Sequence, residues 1–199
     1  MRTLMSKVRR RLAWMAIRCV QAVRTLWYAL LSTNRIVGAP QRLQPIQAVG
    51  LGRIVCHPGV RIGFFPSPGF LDSYAYIEAR NPSSTVSVGA GTAINNGFRC
   101  MAEHTSITIG ENCLLGANVE ILDSDFHGLK LDERGTSKVE WSAPVVLEDR
   151  VFIGSNVRIL KGVRIGTGSV IANSSVVIGD IPPMVVAGGI PAKVLRAID

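Results

Sequence analysis

From residue 147 the apolar positions recur every six residues, through LEDRVF, IGSNVR, ILKGVR, IGTGSV, IANSSV and VIGDIP. Each hexad opens on an aliphatic residue, namely Leu147, Ile153, Ile159, Ile165, Ile171 and Val177. The fifth position is small or β-branched, as in Val151, Val157, Val163, Ser169, Ser175 and Ile181. The same template fits VGAGTA at 88, IGENCL at 109, LGANVE at 115 and, loosely, INNGFR at 94. A period of six is neither the 3.6 of a helix nor the alternation of an ordinary strand. It suits short parallel strands joined by sharp corners and stacked coil on coil, a β-solenoid. Glycine at the second position (Gly89, Gly110, Gly116, Gly154, Gly166) fits corners where backbone is strained or closely approached. Residues 41–87 are Pro-rich and irregular, which predicts divergent early coils or a cap.

The pattern is different at the start. Residues 1–35 contain no internal Pro or Gly through SKVRRRLAWMAIRCVQAVRTLWYALL and read as one helix. Lys7, Arg10, Arg11, Arg18, Gln21, Arg24 and Thr25 form a narrow polar stripe at helical spacing, with apolar residues over much of the rest. Leu12 to Leu31 is long enough to cross a bilayer, but Arg18 and Arg24 would be costly inside one. Arg18 also interrupts any signal-peptide core. Two readings stay open: a basic helix over residues 1–31 lying on an anionic membrane surface, or a helix packed on its own subunit or across an oligomer interface. The domain plan is therefore a helix at 1–35, a β-helix at 36–182 with a loop at 123–144, and a C-terminal segment at 183–199.

Charge sharpens this plan. The net charge of +8 resides in residues 1–35, where Arg2, Lys7, Arg9, Arg10, Arg11, Arg18, Arg24 and Arg35 meet no acid. The remainder balances 14 Lys and Arg against 14 Asp and Glu, so no basic face for nucleic acid is expected on the main domain. The four cysteines lack C-x-x-C or zinc-like spacing and read as isolated thiols of a reducing compartment. His57 and His104 lie far apart, which disfavours a metal site, and Cys100 and Cys113 fall on template positions expected to be buried.

The ordered combination ITIGENCLLGANVEI, DSDFHG, VFIGSNVRILKGVRIGTGSVI and DIPPMVVAGGIPAKVLR resembles the hexapeptide-repeat acyltransferases. Within them it is similar to galactoside and maltose acetyltransferases and to O-acetyltransferases of bacterial surface polysaccharides. The resemblance covers about residues 88–196 and implies an all-β solenoid, a left-handed parallel β-helix that assembles as a homotrimer. It also implies an acetyl-CoA-dependent O-acetyltransferase acting on a sugar hydroxyl, in surface polysaccharide or glycolipid synthesis. The protein would be cytoplasmic and, through its helix, peripheral at the inner face of the cell membrane. N-acetylation of a nucleotide-linked amino sugar, or a non-catalytic scaffold, are the alternatives.

Residues 123–144 drop the six-residue beat, so an extruded loop is expected with His127 near its root. By resemblance His127 is the general base, suited by an unperturbed pKa of ~6.5, and attack on the thioester is direct. A backbone N–H would stabilise the oxyanion. Asp125 and Asp123 are candidates for orienting the imidazole, Asp125 standing on the same side of an extended segment. Asn96 matches the family's acceptor-binding asparagine, with Asn95 one position away. Ser155 and the backbone around Asn173 match the coenzyme A groove, and Lys193 and Arg196 the basic C-terminal pair. Ile178 and Gly179 replace a Thr-Lys of the family, so a phosphate contact is either missing or supplied elsewhere, with Lys161 and Arg164 as candidates.

Overall fold

The computed structural model describes residues 2–198, with side-chain surroundings from residue 7 onward. Met1 and Asp199, at the ends of the expected helical and C-terminal segments, lie outside the described residues. The hexads form a left-handed parallel β-helix whose coils visit three sheets in turn. The first sheet runs in six strands from Ile36–Val37 to Arg164–Ile165, and the third in six from Ile46–Gly50 to Val176–Val177. The second contains Gln41–Arg42, Arg61–Ile62, Ala93–Ile94, Leu114–Leu115, Phe152–Ile153, Val170–Ile171 and Val185–Gly189, closed by an antiparallel strand Ala192–Ala197.

Parallel register stacks each aliphatic residue on its equivalent one coil away. In the second sheet Ile62, Ile94, Leu115, Ile153, Ile171 and Ala187 form one continuous buried column. Ile77, Cys100, Ile121, Ile159 and Val177 do the same in the third. Burial removes these side chains from water and provides most of the fold's stability. Burial also pushes the Cys56 thiol up to about 11 and raises Cys100 and Cys113, so none of the three is a ready nucleophile.

The corners divide the two jobs assigned to glycine. Left-handed backbone falls at the fourth hexad position, on Asn112, Asn118, Asn156 and Ser174 as well as Gly91 and Gly162. Asparagine tolerates that conformation because its short side chain hydrogen-bonds locally. The second-position glycines are needed for close approach instead: a Cβ on Gly116 would stand 2.6 Å from the Ser155 nitrogen. Residues 41–87 form coils of the same helix, interrupted by a non-strand excursion between Ile62 and Ala75.

Helix α1, Arg2–Leu30, docks by the C-terminal part of its polar stripe. Buried Gln21 donates from Nε2 to the carbonyl oxygens of Phe70 (2.9 Å) and Leu43 (3.2 Å). Arg24 donates to the carbonyls of Phe70 and Ser73 and to Gln21 Oε1. Tyr28 stacks on Tyr74, and Trp14 meets the edge of Phe65. The apolar side, with Val23, Leu26, Trp27 and Leu30, is left outward, 59–72% exposed. This reverses the usual arrangement, in which an amphipathic helix buries its apolar stripe.

Candidate active site

The third sheet delivers the chain to the loop. After Glu120–Leu122 the chain leaves the coil at Asp123, whose carbonyl accepts from Ala143 N at 2.8 Å and so closes the loop at its root. Within the loop Phe126 occupies left-handed backbone (φ 63°), costly for an aromatic residue. Two contacts hold it: its N–H donates to Ser124 Oγ at 3.0 Å, and the Arg80 guanidinium lies 4.8 Å from its ring centroid. Gly128 is buried against Glu133 and Trp141, where a Cβ would stand 2.3 Å from Glu133 Cβ. His127, between these two fixed neighbours, is exposed; its Nδ1 lies 3.4 Å from the Gly128 carbonyl oxygen, leaving Nε2 open.

Neither aspartate orients this ring within the chain. Asp123 is fully buried and spends its carboxylate on the turn of the preceding coil, accepting from Glu103 N, His104 N, Thr105 N and Thr105 Oγ1. Asp125 pairs with Lys161 Nζ at 2.5 Å. No hydrogen bond or ion pair joins either to His127 among the described residues. The sequence pattern assumed an extended Asp-x-His segment, whereas the left-handed turn at Phe126 separates the side chains.

What steadies the loop from below has no motif. Glu103, 4% exposed at its side chain, accepts from Ser124 Oγ (2.6 Å) and Arg80 Nη1 (2.9 Å), and Arg80 also pairs with Glu78 (2.7 Å). Burial pushes the Glu103 carboxyl up, but hydrogen bonds from Ser124 and Ser137 and the charge of Arg80 outweigh it, holding it below the usual range. Glu78 and Arg80 stand at the end of one third-sheet strand and Glu103 follows the strand of the next coil, so only the coil register brings Glu103 to Arg80.

The residues expected to meet coenzyme A lie elsewhere on the prism. A groove of about 830 Å³ runs along the outer side of the second sheet under α1, and Asn95, Ser155 and Asn173 line it. Ser155 N donates to Asn173 Oδ1 at 2.8 Å, so this N–H is already engaged. The two asparagines have different tasks. Asn96 is fully buried: its Oδ1 accepts from Phe64 N, and its Nδ2 donates to the carbonyls of Phe64 and Pro68. It therefore holds the excursion after Ile62 rather than an acceptor, and Asn95 is the one on the groove. Lys193 and Arg196 are exposed on the closing strand Ala192–Ala197, outside the groove lining. Lys161 and Arg164 are committed to Asp125 and Glu148, so neither is a free substitute for the absent Thr-Lys cation. His127 does not line the groove: it follows a third-sheet strand, whereas Asn95 and Ser155 precede one, so the two lie at opposite edges of that sheet.

Comparison with known proteins agrees with the repeat. Residues 144–179 match the bacterial transferase hexapeptide (six repeats) model, and residues 106–128 match the hexapeptide repeat of succinyl-transferase. The galactoside O-acetyltransferase of Escherichia coli K12 is 37% identical over 116 residues, covering 58% of this chain and 56% of the relative. The polysialic-acid-specific acetyltransferase NeuO superposes with a TM-score of 0.66 at 27% identity, over 81% of this chain and 70% of that one. A hexapeptide-repeat acetyltransferase of Vibrio cholerae O1 biovar eltor, complexed with acetyl coenzyme A, gives 0.53 at 25% identity over 93% and 88%. The chain spans about half or less of the length of the curated relatives it matches.

Proposed function

We propose that this chain, a hexapeptide-repeat β-helix protein, transfers an acetyl group from acetyl-CoA to a sugar hydroxyl. The observation that carries the reading is the exposed His127, fixed between Phe126 and Gly128 with Nε2 open, at the root of a loop extruded from the repeat. Nε2 takes the proton of the acceptor hydroxyl as its oxygen attacks the thioester carbonyl. Collapse of the tetrahedral intermediate breaks the C–S bond, and the imidazolium returns its proton to the departing thiolate. No acyl-enzyme is required, in keeping with the buried state of Cys100 and Cys113. The sugar-acetylating relatives support the acceptor class, and the acetyl-CoA complex of the Vibrio protein supports the donor.

The donor fits the groove in part. Ser155 and Asn173, with Gly116 and Gly154 beside them, suit a pantetheine arm, and Lys193 and Arg196 offer cations toward the C-terminal coils. Base and groove meet only if a neighbouring copy brings its His127 across, which argues for a homotrimer. Leu129 and Leu131, more than 80% exposed on the loop, supply apolar surface for that contact. The outward apolar side of α1 and Arg9, Arg10 and Arg11 favour a peripheral position on the inner face of the cell membrane.

The test is thiol release from acetyl-CoA across a panel of sugars, followed by mass analysis of the product. Replacing His127 by Ala should lower turnover by about 10²- to 10⁴-fold without changing oligomer size. Undiminished turnover in that variant would remove the base assignment.

A further inference from the structure

The end of the groove farthest from Ser155 is built for something other than the donor arm. Arg42 and Arg61 point outward from the first two strands of the second sheet, and Arg18 reaches the same groove from α1. All three are exposed, and none forms an ion pair with a carboxylate among the described residues. Among the described residues no Asp or Glu lines the groove. Three uncompensated guanidiniums converging on one channel gain little from a neutral sugar but bind a phosphate through forked, charge-assisted hydrogen bonds. Beside them stands an apolar cluster of Trp14, Ile17, Phe64, Phe65 and Phe70, partly contributed by the same helix.

We infer that the groove binds its acceptor as a lipid-linked sugar phosphate. The phosphate lies among Arg18, Arg42 and Arg61, and the first part of the lipid chain lies against Trp14, Ile17 and Phe65. The sugars extend over Leu114 and Phe152 toward Asn95. From Arg61 to Phe152 is three coil steps, roughly 14 Å at ~4.8 Å per step, room for a short run of sugar rings. The volume of about 830 Å³ lies within the range of ~300–1,000 Å³ common for small-molecule sites. A nucleotide-linked sugar is disfavoured because a base needs polar partners for its edge. Of the two glutamines at this end, Gln21 is consumed by Phe70, Leu43 and Arg24, which leaves Gln41. The α1 wall also carries the outward apolar surface, so a lipid chain leaving the groove finds a membrane-facing path. The position of the sugars rests on the acetyl-transfer reading; the phosphate and chain site does not.

Calorimetric titration of the full chain with farnesyl diphosphate tests the site. Binding should be at least about tenfold tighter than that of inorganic diphosphate or farnesol, and at least about tenfold weaker in an Arg42→Glu/Arg61→Glu variant. Ile17→Asp, which removes apolar wall and leaves both arginines, should weaken it as well, and coenzyme A should not compete. Equal affinity for uridine diphosphate or an oligogalacturonate, full displacement by coenzyme A, or indifference to all these substitutions would each overturn the inference. His127→Ala should bind farnesyl diphosphate as the wild type does. Absent acetyl transfer with intact binding would therefore count against the enzymatic reading alone, and absent binding with intact transfer against this site alone.

Discussion

A carboxylate that accepts three backbone N–H groups and a hydroxyl is a structural ion, and Asp123 has that environment. Its removal strands buried donors, each costing about 1–3 kcal/mol. Asp123→Ala should therefore lower unfolding stability by at least about 2 kcal/mol in chemical denaturation. Asp125→Ala, which breaks a partly exposed pair with Lys161, should cost about 1 kcal/mol or less. The opposite ranking would restore a structural role to Asp125. Glu103 adds a pH dependence. Its carboxyl is held below its ordinary value, so the stability it lends is full above about pH 4.3 and fades as pH falls through the folded value. Amide exchange should then show residues 124–142 losing protection below about pH 4.3 before the coils do. Simultaneous loss throughout would mean that Glu103 does not secure the loop.

At the scale of elements, α1 is unusual in docking through the polar side chains of Gln21 and Arg24 while its apolar side faces outward. Gln21 and Arg24 gain fixed carbonyl partners, which set the helix orientation and leave Val23, Leu26, Trp27 and Leu30 outside. Interfacial insertion should follow, with Arg9, Arg10 and Arg11 near anionic headgroups. The full chain should sediment with phosphatidylglycerol vesicles and far less with phosphatidylcholine vesicles, and Leu26→Glu/Leu30→Glu should abolish it. Sedimentation that survives this double substitution would assign the outward face to something other than lipid. The stripe itself was readable from spacing, but its direction was not, because Phe70 and Ser73 lie some fifty positions away in sequence. The same limit separates the coils from the site. A period of six states the stacking outright, so the solenoid and the break at 123–144 follow from sequence. The contact of Arg80 with Glu103 and the groove wall of Trp14 and Phe65 join distant segments with no periodic trace. Asn95 and Asn96, adjacent in sequence, face groove and core, and only the excursion at 63–74 decides between them.

At the scale of the whole molecule, the decisive fact is that His127, the proposed base, and the groove stand at opposite edges of the third sheet. In the proposed homotrimer, a threefold ring of identical prisms would join one edge of each copy to the other edge of the next and so complete a site at every interface. Subunit mixing tests this directly. His127→Ala lacks the base, and Ser155→Trp fills the groove while leaving its own loop intact. Each variant alone should be nearly inactive. Unfolded and refolded together in equal amounts, they should regain about a quarter of wild-type activity, since random assortment pairs an intact His127 with an intact groove at about one interface in four. Recovery depends on two copies sharing each site. If the mixture stays as inactive as its components while forming normal oligomers, base and groove belong to separate functions and the intersubunit site is wrong.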